Sequence, residues 1–74
     1  MNETEALALI RQMLRAESET ELMQIVSLNL SAVDGTFFSA AEASARQLDR
    51  EGKPSAAIAL RGLADRMLRM KTLI

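Results

Sequence analysis

The sequence predicts an all-α fold, a small bundle of about four helices connected as up-and-down hairpins. Apolar side chains recur every three or four residues through most of the chain, and residues that cap helices precede these segments. No segment shows the sustained alternation of a strand, and the chain contains neither Tyr nor Trp. Its 74 residues suffice for one domain, spanning residues 1 to 74.

A first helix is predicted for residues 3 to 17. Asn2 is a favourable N-cap, and Glu5 follows it at the third position. The apolar residues of this segment recur at helical spacing: Ala6, Leu7, Ile10, Met13 and Leu14. We therefore expect an amphipathic helix that packs by one face.

A second helix is predicted for residues 19 to 34. Ser18 and Glu21 form the S-x-x-E pattern of a capping box ahead of it. Its apolar residues leave almost no polar face: Leu22, Met23, Ile25, Val26, Leu28, Leu30 and Val33. Such a helix is covered on several sides, so we expect it at the centre of the bundle or in an oligomer interface.

A third helix is predicted for residues 36 to 51. Asp34-Gly35-Thr36 marks the break before it, because Gly35 can end a helix in the left-handed conformation and Thr36 can cap the next one. Gly52 is expected to end this helix. Its predicted buried stripe consists of Phe38, Ala41, Ala45 and Leu48, with Phe37 beside it.

A fourth helix is predicted for residues 54 to 73, with Pro54 in its first turn. The apolar residues that follow the 3-4-3-4 spacing of helix packing are Leu60, Leu63, Met67, Met70 and Ile74. Three further residues widen this stripe: Ala57, Ala64 and Leu68. Arg61, Asp65 and Arg69 lie on the opposite face at intervals of four and can pair along it.

The third and fourth helices are predicted to pack as an antiparallel pair, because their connection is short. Their shared core is expected to contain Phe38, Leu48, Leu60, Leu63 and Met67. Residues 38 to 71 also resemble a tetratricopeptide hairpin, whose small positions are matched by Ala45, Ala57 and Ala64. Three positions depart from that motif: Ala41, Ser44 and Arg61. Residues 1 to 35 do not repeat it, whereas a solenoid needs about three repeats, so the resemblance implies a helical hairpin and no family.

The composition excludes the commonest enzymatic chemistries. With no His and no Cys, the chain lacks the usual general base, thiol nucleophile and zinc ligands. The acidic cluster of Glu17, Glu19 and Glu21 is explained by the start of a helix, where carboxylates favour the dipole. The three glycines form no phosphate-binding pattern. We therefore predict no catalytic residues, no metal site, no cofactor and no enzymatic activity.

The charge is distributed unevenly along the chain. Residues 1 to 52 carry nine acidic and four basic side chains, whereas residues 53 to 74 carry five basic and one acidic. A basic helix can bind nucleic acid, or it can pack against an acidic protein surface, which we favour. The alternative function is therefore that of a nucleic-acid-binding or regulatory protein with the basic face Arg61, Arg66, Arg69 and Lys71.

The expected compartment is the cytoplasm. No apolar run reaches the roughly 18 residues of a membrane span, so no membrane association is predicted. The first residues are acidic, whereas a signal peptide begins with basic ones.

Self-association is predicted from the balance between apolar residues and chain length. A chain this short buries only about 60% of its unfolded surface, and neither a disulfide nor a common metal site is available to stabilise it. We predict a non-enzymatic interaction or assembly module, a homodimer or a partner of another protein. Asn29 either bonds to a neighbouring helix or sets the register of the dimer. The predicted interface consists of Leu22, Ile25, Val26, Asn29, Leu30 and Val33.

Overall fold

Four α-helices make up the computed structural model, which describes residues 1 to 72. They are α1 (Glu3–Arg15), α2 (Glu19–Asn29), α3 (Gly35–Arg50) and α4 (Pro54–Thr72). A short 3-10 turn, Leu30–Ala32, follows α2. The first helix therefore ends at Arg15 and not at residue 17, and the second ends at Asn29 and not at residue 34, because the backbone leaves the α conformation at Ala16 and tightens into the 3-10 turn at Leu30. The described residues contain no strand, so the all-α prediction is confirmed.

The four helices run alternately up and down. The N-terminal ammonium of Met1, ahead of α1, lies 2.7 Å from the carboxylate of Asp34, ahead of α3. Lys71, near the end of α4, donates hydrogen bonds to the carbonyl oxygens of Leu30 and Val33, just after α2. The starts of α1 and α3 and the ends of α2 and α4 therefore meet at one end of the bundle.

The central helix is α3, which packs against both α4 and α1. This corrects the expectation that the second helix is central: α2 packs mainly against α1, and Val26 is its only fully buried residue. Small side chains account for the position of α3, because they let helix backbones approach closely. Its buried residues are Phe37, Ala40, Ala41 and Ala45.

The α3–α4 pair contains the predicted shared core, with one exchange. Leu60, Leu63 and Met67 are buried, and Phe38 and Leu48 pack against the buried core while remaining partly exposed. Phe37, predicted to lie beside the buried stripe of the third helix, is fully buried instead. It shares a face with Ala41 and Ala45 at intervals of four, toward the interior. Of the other residues in the predicted packing stripe of α4, Met70 is only partly buried. Leu68, which was predicted to widen that stripe, is 46% exposed, and Ile74 lies outside the described residues.

Capping residues position the first two helices as predicted. Asn2 and Glu5 form a reciprocal box: the Asn2 Oδ1 accepts from the Glu5 N–H at 2.8 Å, and the Glu5 Oε1 accepts from the Asn2 N–H at 2.9 Å. Ser18 caps α2 by accepting from the N–H of Glu21 at 3.1 Å. The Glu21 carboxylate accepts from the N–H of Glu17 at 3.2 Å. These bonds satisfy donors that a helix start otherwise leaves open.

The break before α3 differs from the prediction. Asp34, and not Thr36, is the N-cap: its Oδ1 accepts from the N–H groups of Thr36 and Phe37 at 3.1 and 3.3 Å. Gly35 is the first residue of α3 and has an ordinary backbone conformation, because the 3-10 turn has already ended α2. Asp is a better N-cap than Thr, and its negative charge is favoured by the dipole at a helix start.

The end of α3 requires a glycine. Gly52 has a φ of 76°, and its N–H donates to the carbonyl of Asp49 while the N–H of Lys53 donates to that of Leu48. This pair of bonds is the Schellman motif, in which the left-handed residue is usually Gly. The prediction that Gly52 ends the third helix is confirmed.

Gly52→Ala is expected to lower the free energy of unfolding by about 1 kcal/mol, because a Cβ disfavours the left-handed conformation. Gly62→Ala is the matched control: Gly62 lies inside α4 with no heavy atom close to an added Cβ. We expect it to raise that free energy by about 0.5 to 1 kcal/mol. Urea unfolding of both variants measures these two opposite changes in the free energy of unfolding. Equal destabilisation of the two variants would contradict the special role of Gly52 at the end of α3.

Asp34 has a pKa below its ordinary value of 3.8. The main cause is the hydrogen bond from the ammonium of Met1; partial desolvation opposes it, and the N–H groups of Phe37 and Thr36 add to the lowering. A lowered folded-state pKa means that the carboxylate stabilises the fold above the unfolded pKa. This contribution is lost as the pH falls through the folded pKa.

Asp34→Asn is therefore expected to lower the Tm at neutral pH and to have no effect in strong acid. The amide keeps an oxygen for the N-cap but loses the charge that pairs with Met1. Asp34→Ala removes both and should lower the Tm more at neutral pH. Thermal unfolding from neutral pH to below 3.8, the ordinary pKa of Asp34, measures the difference. A constant difference between wild type and Asp34→Asn would show that the ion pair does not contribute.

Candidate interaction surface

The residues predicted for a dimer interface face the interior of the single chain. Val26 and Val33 are each only 1% exposed and belong to the buried core. Leu22, Ile25 and Leu30 are partly buried and pack against that core. This side of α2 is already covered by the chain's own helices, so a partner can use little of it.

Asn29 makes its hydrogen bond within α2. Its Nδ2 donates to the carbonyl oxygen of Ile25 at 2.8 Å. Ile25 lies one turn earlier in the same helix, so this bond stays within α2. The expected bond to a neighbouring helix is therefore not the one that Asn29 makes.

The opposite side of α2 carries an open groove, which we call the outer face of α2. It is lined by Glu19, Thr20, Met23, Gln24, Ser27 and Leu28. Leu28 is 82% exposed, the highest exposure among the exposed large apolar residues within residues 1 to 72. It is two residues from Val26, about 160° around the helix, so the two side chains lie on opposite sides. Because α2 is apolar nearly all round, the sequence did not indicate which of its sides is the inner one and which the outer one.

The outer face of α2 is also uncharged along most of its length. No charged residue occurs from Leu22 to Val33, although 26% of the chain is charged. A second groove continues from Ser27 to Ser31 and Leu30 and ends at Lys71. The outer face therefore has Glu19 at one end, Lys71 at the other, and only neutral side chains between them.

The predicted basic face is divided by contacts within the chain. Arg61 reaches α3, where its guanidinium lies 3.0 Å from Asp49 and 3.8 Å from Glu42. Arg69 pairs with Asp65 at 2.9 Å, which confirms the predicted pairing along α4. Arg66 is exposed, and within residues 1 to 72 it has no ion pair. Lys71 bonds to the carbonyls that follow α2.

The chemistry available to the described part of the chain is limited. Among residues 1 to 72, no fully buried side chain is polar or charged. No group of three or more acidic side chains in that range is arranged to hold a metal ion. The acidic cluster is explained locally, because Glu21 accepts from the N–H of Glu17 while Ser18 caps the helix.

No family model, curated protein or solved structure matches this chain. Within residues 1 to 72, no helix has both the length and the apolar composition to cross a bilayer.

Proposed function

We propose that this protein is a non-enzymatic assembly module whose copies bind each other through the outer face of α2. The observation that carries the proposal is the exposed Leu28 beside Met23, on a helix segment that has no charged residue from Leu22 to Val33. The centres of protein interfaces are depleted of charge and enriched in Met, whereas solvated helix faces are normally charged. The proposal retains the cytoplasm as the expected compartment.

A second copy is the occupant that fits this face best. The protruding Leu28 and the groove formed by Thr20, Met23, Gln24 and Ser27 lie on the same helix. Under two-fold symmetry one patch supplies both the protrusion and the recess, so each copy covers the other. The nucleic-acid alternative has less support, because three residues of the predicted basic face are engaged within the chain.

The size of this face sets the expected affinity. An α2 of 11 residues is about 17 Å long. A contact of that length buries a few hundred Å² per copy, less than the roughly 800 Å² of a standard stable interface. We therefore expect a dissociation constant in the micromolar range or above.

Light scattering over about 10 μM to 1 mM tests the proposal. The mass of the wild type is expected to rise toward that of a dimer, and Leu28→Glu should remain a folded monomer, because it buries a charge within the apolar contact. Ile58→Glu is the control, since Ile58 is 68% exposed on α4 and lies outside the outer face of α2. A wild type that stays monomeric throughout, or an equal effect of both variants, would refute the proposal.

A further inference from the structure

The outer face of α2 carries opposite charges at its two ends. Glu19 lines one end, and Lys71 closes the other end beside Ser27 and Ser31. Within residues 1 to 72, neither Glu19 nor Lys71 has an ion-pair partner. A lysine ammonium has three N–H donors. Lys71 donates two of its three N–H groups to the carbonyl oxygens of Leu30 and Val33, so one N–H remains for a carboxylate.

We infer that the second copy lies antiparallel on α2, with Glu19 of each copy beside Lys71 of the other. This inference rests on the proposed self-association and adds its orientation and its pairing residues. A parallel arrangement would bring Glu19 and Glu21 of both copies together, and like charges at that distance repel. The antiparallel arrangement places each acidic end at a basic end, and it also opposes the two helix dipoles.

The charges also define the register. Lys71 lies beside residues 27 to 31, so Glu19 of the second copy reaches it when residue 29 of one copy faces residue 19 of the other. That condition places the two-fold axis near Gln24. Leu28 then faces Thr20 of the second copy, because each lies four residues from Gln24. The smaller Thr side chain leaves room for the exposed Leu.

Disulfide cross-linking tests this geometry without interference, because the chain contains no Cys. Gln24→Cys is expected to cross-link to itself across the axis. Thr20→Cys mixed with Ser27→Cys should yield mainly the mixed dimer, since Thr20 faces Leu28 of the second copy and therefore lies only about 1.5 Å along the helix axis from Ser27. A disulfide needs Cα atoms within about 7 Å, whereas the two copies of residue 20 lie about 12 Å apart along the helix axis. Thr20→Cys should therefore not cross-link to itself. Ile58→Cys on α4 measures the background from random collisions.

A second measurement tests the charges. Glu19→Gln is expected to raise the dissociation constant by about 2- to 30-fold, the effect of losing two exposed ion pairs. Glu3→Gln is the matched control, because Glu3 and Glu19 each follow directly on the N-cap of their helix and only Glu19 lies on the outer face of α2. We expect the control to leave the dissociation constant unchanged.

The outcomes separate this inference from the proposed function. A wild type that light scattering shows to be monomeric refutes both. A dimer in which Thr20→Cys cross-links efficiently to itself refutes the antiparallel arrangement and leaves the assembly proposal intact. A dimer in which no α2 variant cross-links above the Ile58→Cys background refutes the contact through α2. Equal effects of Glu19→Gln and Glu3→Gln refute the pairing with Lys71.

Discussion

Phe37→Ala is expected to lower the free energy of unfolding by about 3 to 5 kcal/mol. Phe37 has no exposed surface, lies in the central helix, and meets the ring of Phe38 edge to face with centroids 5.5 Å apart. Truncation removes the transfer free energy of the ring and leaves a cavity that alanine-rich α3 cannot refill. A chain of this length is expected to be stable by roughly 4 to 11 kcal/mol, so this loss is a large share.

Phe38→Ala is the matched control, since Phe38 is only partly buried at the neighbouring position. Its loss should be smaller by at least about 1 kcal/mol, because part of the ring is already in water. Urea unfolding monitored by circular dichroism measures both values. If Phe38→Ala were the more damaging change, the buried stripe of α3 would be the one predicted from the sequence.

Val26→Glu is expected to abolish the cooperative fold. Val26 is 1% exposed. Among residues 1 to 72, no fully buried side chain is polar or charged, so the core offers no side chain that could pair with a buried carboxylate. An unpaired buried charge costs several kcal/mol, comparable to the total expected stability. A circular dichroism melt should show low helicity and no sharp transition.

Leu28→Glu provides the comparison on the same helix. It introduces the same side chain two residues later, where 82% of the leucine is exposed, and it should melt close to the wild type. If Val26→Glu instead gave a well-folded monomer from a wild-type dimer, Val26 would lie at the subunit contact predicted from the sequence and not in the core.

The positions of the four helices and the caps that depend on neighbouring residues could be predicted from the sequence, but the ends of α1 and α2 lie two and five residues earlier than predicted. Asn2 and Ser18 cap helices, and Gly52 adopts the left-handed conformation, because these interactions join residues only a few positions apart. The core residues of α4 could also be predicted from their spacing alone, because this helix has a single apolar stripe and a charged face opposite it. Leu60, Leu63 and Met67 illustrate this.

The sides of α2 and α3 that face the core could not be predicted from the sequence. α2 is apolar nearly all round, so its period could not show that Val26 is inside and Leu28 outside; the packing of α2 against α1 decided it. The partner of Arg61 was equally undetermined, because Asp65 is a neighbour along the helix whereas Asp49 approaches only through the α3–α4 packing. Local interactions are encoded within a few residues, but the orientation of a helix depends on surfaces that distant segments supply.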